Sequence, residues 1–202
     1  MGDAASNLLL ALAVGYLLGS IPFGLILTRL AGKGDVRDIG SGNIGATNVM
    51  RAGGKGLAAA TLILDAVKGA VAVWIAQTFL QGTPSADHAA AAGALVGHLY
   101  PAWLKFRGGK GVATLFGILL VLWFTGAMVY ALVWLCMLAM VRISSVAGIS
   151  AAASAPIAAA VLGVQTLFPL LLGFALLVIW KHRENIARLR AGTEQRIGKG
   201  KV

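Results

Sequence analysis

The stretch Gly111-VATLFGILLVLWFTGAMVYALVWLCMLAM-Val141 decides the fold, because it carries no charge and allows two interpretations. As a single helix of about 31 residues it would be about 46 Å long, far beyond the roughly 30 Å hydrocarbon layer of a bilayer. As two short spans that turn near Phe124, Thr125 and Gly126, it raises the number of membrane spans from six to seven. The number of spans then decides on which side of a membrane each later segment lies.

The rest of the chain is comparably apolar, since 58% of its 202 residues are hydrophobic and 12% are charged, about half the charged fraction of a soluble domain. Apolar runs of roughly 20 residues predict transmembrane helices. The predicted fold class is therefore all-α, a polytopic integral membrane protein with a single domain over residues 1–202. The predicted spans are about 7–30, 57–80, 88–104, 111–124, 126–141, 145–162 and 165–181.

The positions of Lys and Arg distinguish six spans from seven. With seven spans, the loops after the first, third, fifth and seventh share one side and, with the adjoining helix ends, carry every cation except Lys68. The other side receives only Asp3, Gln81, Asp87 and neutral residues. Six spans would place Arg142 and the cationic C-terminal segment on opposite sides. The positive-inside rule therefore predicts seven transmembrane helices, with the N-terminus outside and the C-terminus cytoplasmic.

This one-sided distribution accounts for the formal net charge of +10, so no nucleic-acid partner is expected. Membrane lipids are expected partners of the apolar spans. The lone Cys136 lies in an apolar run, which excludes a disulfide or a multi-cysteine metal site. Lys68 lies within a predicted span, three residues after Asp65, so the two side chains can pair. That pair either fixes helix packing or presents polar groups to a site.

Three polar segments face the predicted cytoplasmic side, and the first is Asp38-IGSGNIGATNVM-Arg51. Its alternating glycines allow positive φ and can turn successive amides toward one anion. Residues 40–45 match GxGxxG, but no strand precedes them, so a dinucleotide site is excluded. The alternative is a loop that only caps the second span. The candidate phosphate-binding residues here are Ser41, Gly42, Asn43, Thr47, Asn48 and Arg51.

The second polar segment is Leu104-KFRGGKGVA-Thr114. A positive-inside loop would explain its cations but not its three glycines, since glycine costs backbone order and adds no charge. We therefore favour a phosphate-approaching loop. His98, on the preceding span, could be a general base or a hydrogen-bonded interfacial histidine. The candidate phosphate-binding residues are Gly108, Gly109, Lys110 and Gly111.

The third polar segment, Trp180-KHRENIARLRAGT-Glu194, is predicted to continue the last span as a helix until Gly192 ends it. His182 and Asn185 are three residues apart, so they share a helix face. The alternative is an amphipathic surface helix whose arginines contact anionic lipid. Those arginines are Arg183, Arg188 and Arg190.

Together, GSGNIGATNVMR (40–51), the stretch 98–114 and HRENIARLRAGTE (182–194) resemble the signature segments of one bacterial family. That family is the membrane glycerol-3-phosphate acyltransferases that take the acyl group from acyl phosphate (the PlsY family). The resemblance runs from about residue 14 to 194. It implies transfer of a fatty acyl group to the 1-hydroxyl of glycerol 3-phosphate, giving 1-acyl-glycerol 3-phosphate (lysophosphatidic acid). This is the first step of phospholipid biosynthesis, at the bacterial inner membrane.

The resemblance also implies a seven-span fold, no metal, no cofactor, and neither acyl-CoA nor an acyl-carrier protein as the direct donor. Acyl phosphate is a mixed anhydride whose leaving group is phosphate, so the protein needs only to hold two phosphates and one hydroxyl in attack geometry. Lys110, His182 and Asn185 are the predicted catalytic residues, with His182 and Asn185 orienting the glycerol. A substrate phosphate could serve as the base.

Two other classes of protein fit the sequence less well. Many glycerolipid acyltransferases use a His with an Asp five positions later, but the residues five after His88, His98 and His182 are not acidic. A membrane transporter of a phosphorylated metabolite would share the cationic glycine loops. It would also need polar groups along a path from both faces, and the predicted outer face has few.

Overall fold

The computed structural model describes residues 2–80 and 84–197. Gln81, Lys199 and Lys201, which entered the charge argument, lie outside the described residues. Over the described ranges the regular structure is entirely helical, with short 3₁₀ turns at Val36–Asp38 and Ala102–Leu104. The α-helices are α1 Gly2–Gly19, α2 Phe23–Leu30, α3 Ala46–Gly53, α4 Lys55–Phe79, α5 Pro84–Leu99, α6 Val112–Leu122, α7 Phe124–Val141, α8 Ser144–Val161, α9 Phe168–Lys181 and α10 Arg183–Arg190.

The apolar stretch 111–141 is two helices rather than one. α6 ends at Leu122 and α7 begins at Phe124, because Trp123 adopts extended backbone angles (φ −161°, ψ 89°). The interruption falls one residue before the turn predicted from the sequence. The count of seven spans and the orientation of the termini stay predictions.

Within residues 2–80 and 84–197, four helical segments are long and apolar enough to cross a membrane. They are Ala4–Leu30, Lys55–Phe79, Phe124–Val141 and Ser144–Val161, while α6 and α9 are apolar but shorter. The first of these covers the predicted span 7–30, but the helix is interrupted within it. Pro22 lacks an N–H and ends the helical ladder, so α1 and α2 are separated by residues 20–22.

The break between α1 and α2 exposes backbone carbonyls that a membrane interior cannot solvate. Two side chains supply the missing donors. The indole Nε1 of Trp103 donates to the Ser20 carbonyl at 2.9 Å, and the ammonium of Lys68 donates to the Ile21 carbonyl at 2.7 Å. Lys68 therefore has a structural task inside its apolar surroundings.

The chain divides into two compact units, residues 1–122 and 123–202. In the first unit, α1 packs on α5 and α4 packs on α6, with glycines where the helices approach most closely. A methyl group on Gly93 would overlap the Leu12 carbonyl, and one on Gly117 would overlap the Ala66 carbonyl. Small residues at such contacts are typical of membrane helices. In the second unit, α8 packs between α7 and α9 through buried alanines.

Candidate active site

In the first polar segment the side chain of Asn48, on α3, holds the loop together. Its Nδ2 lies 2.8 to 2.9 Å from the carbonyl oxygens of Val36, Ile39 and Asn43, and its Oδ1 accepts the Ser41 N–H at 3.0 Å. Asn48 is only 2% exposed. Both polar atoms of Asn48 therefore bond to the loop backbone, so this side chain positions the loop. From the sequence, Asn48 was predicted only as a phosphate-binding residue.

Gly40 and Gly42 adopt the positive φ angles expected from the sequence, whereas Gly45 has φ −79°. Gly40 has φ 58° and Gly42 has φ 67°. A side chain at Gly40 would also collide with Asn48 Oδ1 and approach the Arg51 side chain. The Asn43 Oδ1 accepts the Gly45 N–H at 2.9 Å and shapes the entry into α3. Thr47 lies half-buried in the first turn of that helix.

Among the predicted ligands of this segment, Ser41, Gly42 and Arg51 are the exposed ones. Ser41 lies in the loop and Arg51 in the last turn of α3, and the approach of Arg51 to Gly40 keeps the guanidinium stem beside the loop. A hydroxyl and a guanidinium therefore lie together at the surface. Such a set can bind a phosphate through charge-assisted hydrogen bonds.

In the second polar segment the glycines have a packing reason as well. The Gly108 N–H donates to the Leu99 carbonyl at 3.2 Å, and the Gly109 N–H donates to the His98 carbonyl at 3.0 Å. A Cβ at Gly108 would overlap the His98 carbonyl, and one at Gly109 would overlap the His98 ring. The loop backbone therefore lies directly against the end of α5.

Gly111 completes this loop with φ 83° and leads into α6. Lys110 is half-buried between the tightly packed Gly109 and this turn, whereas Lys105 and Arg107 are exposed. The loop thus holds Lys110 near the N-terminal end of a helix, where positive backbone partial charge adds to the ammonium. An anion is favoured at such a place.

The first two polar segments share a small hydrophobic cluster. Its buried members are Leu25, Val36, Ile44 and Val49, and Leu104 packs against it. Val36, Ile44 and Val49 belong to or flank the first loop, while Leu104 begins the second segment. The structure therefore brings these two segments together within the first unit.

The third polar segment belongs to the second unit and departs from its prediction in one respect. The helix is interrupted at His182 (φ −94°, ψ 6°), which separates α9 from α10. Both the backbone N–H and the ring Nδ1 of His182 approach the Val178 carbonyl, the latter at 2.7 Å. Because a carbonyl only accepts, Nδ1 carries a proton, and in the neutral ring Nε2 is then an acceptor. His182 and Asn185 are both buried.

Glu194 is the residue of this segment that the sequence argument missed. Its Oε1 accepts hydrogen bonds from Ser145 Oγ at 2.7 Å and from Asn185 Nδ2 at 2.5 Å, and its Oε2 accepts one from Arg188 Nε at 2.7 Å. Gly192, with φ 70°, turns the chain so that Glu194 returns to α10. The sequence feature that could have identified Glu194 is its position as an acidic residue directly after a turn in a basic segment.

The carboxylate of Glu194 is stabilised in its charged form. Desolvation by burial alone would raise its pKa, but the hydrogen bonds from Ser145, Asn185 and Arg188 outweigh that effect and lower the pKa below its usual value. Arg188 is therefore engaged in the fold, although the amphipathic-helix alternative assigned it to lipid. Arg183 instead lies over the Trp180 ring, at 5.3 Å from the ring centroid.

Among the residues that the structure describes, no group of three or more His, Cys, Asp and Glu side chains is placed to hold a metal ion. The predicted Asp65–Lys68 pair is present, with 2.6 Å between Asp65 Oδ1 and Lys68 Nζ.

These features define an all-helical membrane protein with glycine-rich, cationic loops at helix ends. A family model described as glycerol-3-phosphate acyltransferase matches residues 9–192, and the chain belongs to this family. A glycerol-3-phosphate acyltransferase of Erythrobacter litoralis is 57% identical over 189 residues, 94% of either chain. One of Rhodopseudomonas palustris is 56% identical over 191 residues, 95% of this chain and 96% of its own.

Solved structures agree with this assignment. The crystal structure of PlsY (YgiH), an integral membrane glycerol 3-phosphate acyltransferase, in its glycerol 3-phosphate form superposes with a TM-score of 0.88 at 38% identity, covering 95% of this chain and 96% of that one. Its lysophosphatidic acid form gives a TM-score of 0.85 at 37% identity, covering 95% of each chain. The resemblance inferred from the three polar segments is confirmed.

Proposed function

We propose that this member of the family transfers a fatty acyl group from acyl phosphate to the 1-hydroxyl of glycerol 3-phosphate, giving 1-acyl-glycerol 3-phosphate. The structurally similar PlsY is described in a glycerol 3-phosphate form and in a lysophosphatidic acid form, which correspond to an acceptor and a product of this reaction. The observation that carries the proposal is the meeting of the first two polar segments around one hydrophobic cluster. It joins the two segments that carry the candidate phosphate-binding residues of the first unit.

The reaction needs little from the protein beyond placement and charge. The acceptor hydroxyl attacks the acyl carbon of the mixed anhydride, the bond from that carbon to the phosphate oxygen breaks, and inorganic phosphate leaves. No enzyme nucleophile is required. Cations and amides that stabilise the phosphates as charge redistributes contribute most of the rate enhancement. The hydroxyl proton passes to a base, for which a substrate phosphate is chemically suited.

The roles of the predicted residues in the first unit follow from their surroundings. Ser41 and Arg51 bind phosphate from the exposed face of the first loop, and Lys110 binds phosphate at the start of α6. Asn43 and Asn48 shape the loop through their own hydrogen bonds.

The buried polar residues of the third polar segment orient the acceptor. His182, held by the contact of its Nδ1 with the Val178 carbonyl, and Asn185, held by its bond to Glu194, are proposed to orient the glycerol. Glu194 and Arg188 keep the Asn185 carboxamide in place.

The location that fits this function is the bacterial inner membrane, with seven spans and the polar segments on the cytoplasmic face. The one-sided Lys and Arg distribution supports this orientation. Single cysteines replacing Ser41, Arg107 and Thr193 in a Cys136→Ser background test it, since all three positions are exposed. We expect an impermeant thiol reagent to label them from the cytoplasmic side alone. Labelling of any of them from the opposite side contradicts the orientation.

The activity is tested with the purified chain in detergent micelles, supplied with glycerol 3-phosphate and either acyl phosphate or acyl-CoA. We expect 1-acyl-glycerol 3-phosphate and inorganic phosphate from acyl phosphate alone, without CoA or a carrier protein. Turnover with acyl-CoA and not with acyl phosphate contradicts the proposed donor. Uptake of labelled glycerol 3-phosphate into vesicles without acylation would instead identify a transporter.

A further inference from the structure

A buried group of ionisable side chains lies next to the second polar segment and has no part in the reaction described above. It consists of Asp65 and Lys68 on α4 and His98 on α5, each at most 4% exposed. Asp65 Oδ1 lies 2.6 Å from Lys68 Nζ and 3.8 Å from His98 Nδ1. Burying ionisable groups costs several kcal/mol for each ion, so such a group needs a reason to be there.

Two of the three side chains are explained by the helix break. Lys68 donates to the Ile21 carbonyl between α1 and α2, and Asp65 compensates the buried ammonium. Neither contact requires a histidine. His98 nonetheless turns its Nδ1 edge toward Asp65.

The opposite edge of the His98 ring explains its presence. Nε2 and the two adjoining ring carbons lie so close to Gly109 that a Cβ there would overlap all three atoms. The His98 carbonyl also accepts the Gly109 N–H at 3.0 Å. The imidazole is therefore wedged between Asp65 and the loop backbone, one residue before Lys110.

We propose that His98, whose Nδ1 edge faces Asp65, is a positioning residue that fixes the backbone of loop 108–111 and thereby the location of the Lys110 ammonium. The proposal rests on the phosphate-binding role given to Lys110 under the proposed function. A displacement of about 1 Å in a positioning element can cost about 100-fold in rate. Because the proposed site accelerates the reaction mainly by holding the substrates in position, a residue that keeps the loop rigid would contribute directly to the rate.

The experiment compares His98→Asn, Asp65→Asn and their combination with the wild type, all purified in detergent. Asparagine keeps a polar group near the place of Nδ1 but removes the ring edge that covers Gly109. Asp87→Asn is the matched control, because Asp87 is also a buried carboxylate that contacts Gln77 of α4, at 3.3 Å. It lies eleven residues from His98 along α5, about 16 Å away.

Two quantities are measured in each variant: amide hydrogen exchange over residues 105–111, and the KM for each phosphate substrate together with kcat. We expect His98→Asn to exchange faster in this loop and to raise the KM of at least one phosphate substrate about 10- to 100-fold. We expect Asp65→Asn to increase loop exchange and KM as well, but by less. In the combined variant, the rise in KM should be smaller than the product of the rises in the two single variants, because the two residues act on the same loop. Asp87→Asn leaves both quantities at wild-type values.

If amide exchange over residues 105–111 is unchanged in both His98→Asn and Asp65→Asn, the proposal is wrong. It is also wrong if exchange is faster while KM and kcat stay at wild-type values. Lys110→Ala separates this failure from failure of the proposed function. If Lys110→Ala abolishes turnover while the His98 variant has wild-type kinetics, only the positioning role is lost. If Lys110→Ala is fully active, the phosphate-binding role of the loop itself is wrong.

Discussion

Asn48 and Glu194 show why residue types alone do not assign roles in this site. Both were visible in the sequence as polar residues of basic, glycine-rich segments. In the structure, Asn48 bonds to four backbone groups of its own loop, and Glu194 joins Ser145, Asn185 and Arg188. A side chain whose hydrogen-bonding groups are used internally shapes the site. The exposed Ser41 and Arg51 are better placed to contact a ligand.

Lys110 and Lys105 provide a charge-matched test of the second loop. Lys110→Ala removes a charge-assisted contact from a half-buried position, and loss of a transition-state contact in such a site costs roughly 2.7–4 kcal/mol, about 100- to 1000-fold in kcat/KM. Lys105 is exposed outside the glycine turn, so Lys105→Ala should cost much less. The two variants are compared at equal membrane insertion. Equal and slight losses of kcat/KM in both variants would mean that the loop only sets membrane topology, because the positive-inside effect depends on the number of charges and not on their exact positions.

Glu194 predicts a pH dependence of stability in the second unit. Its folded pKa is lowered, so it stabilises the fold fully above the unfolded pKa of about 4.3 and loses that contribution as the pH falls through the folded pKa. Thermal unfolding in detergent should therefore separate wild type from Glu194→Gln at pH 7, and the difference should shrink toward pH 3. Glu184→Gln, at an exposed position on α10, should match the wild type throughout. A constant difference at every pH would contradict the role given to the carboxylate.

At the scale of helices, the sequence predicted most of the elements but missed the interruptions at Pro22 and His182. The length limit of a bilayer, together with the one-sided Lys and Arg distribution, predicted that 111–141 forms two helices, and the structure has two. The break at Pro22 was overlooked because the apolar run continues through it, and hydropathy does not register a missing N–H. The interruption at His182 depends on a bond to Val178 that only the folded helix reveals.

The glycines of α6 and α9 allow the packing of helices to be tested directly. Gly117→Ala places a methyl group into the Ala66 carbonyl and should destabilise the protein by about 1–3 kcal/mol through overpacking. Gly173 is exposed and meets nothing within 4 Å, so Gly173→Ala should be neutral or stabilise α9 by about 0.5–1 kcal/mol. Chemical denaturation in mixed micelles measures both. Equal effects of the two variants would mean that α4 and α6 do not depend on this close approach.

For the whole molecule, the sequence predicted the family and its function more completely than the contacts within the site. The three polar segments are long enough to identify the family, and the family model and solved structures confirm it. The sequence could not show that Gly108 and Gly109 are required by the end of α5 as well as by a ligand, because these contacts form only when the loop folds back against that helix end. It also could not show the support that His98 gives this loop, since Asp65, His98 and Gly109 are distant in the chain.

The central claim is direct transfer: two phosphate-bearing substrates are held together, and no acyl-enzyme forms. Isotope exchange tests it most directly, with purified protein, acyl phosphate and labelled inorganic phosphate but no glycerol 3-phosphate. Direct transfer predicts no label in acyl phosphate under these conditions, and formation of 1-acyl-glycerol 3-phosphate as soon as the acceptor is added. An acyl-enzyme would react back with labelled phosphate. Label entering acyl phosphate at a rate comparable to turnover, in the absence of acceptor, would contradict the account.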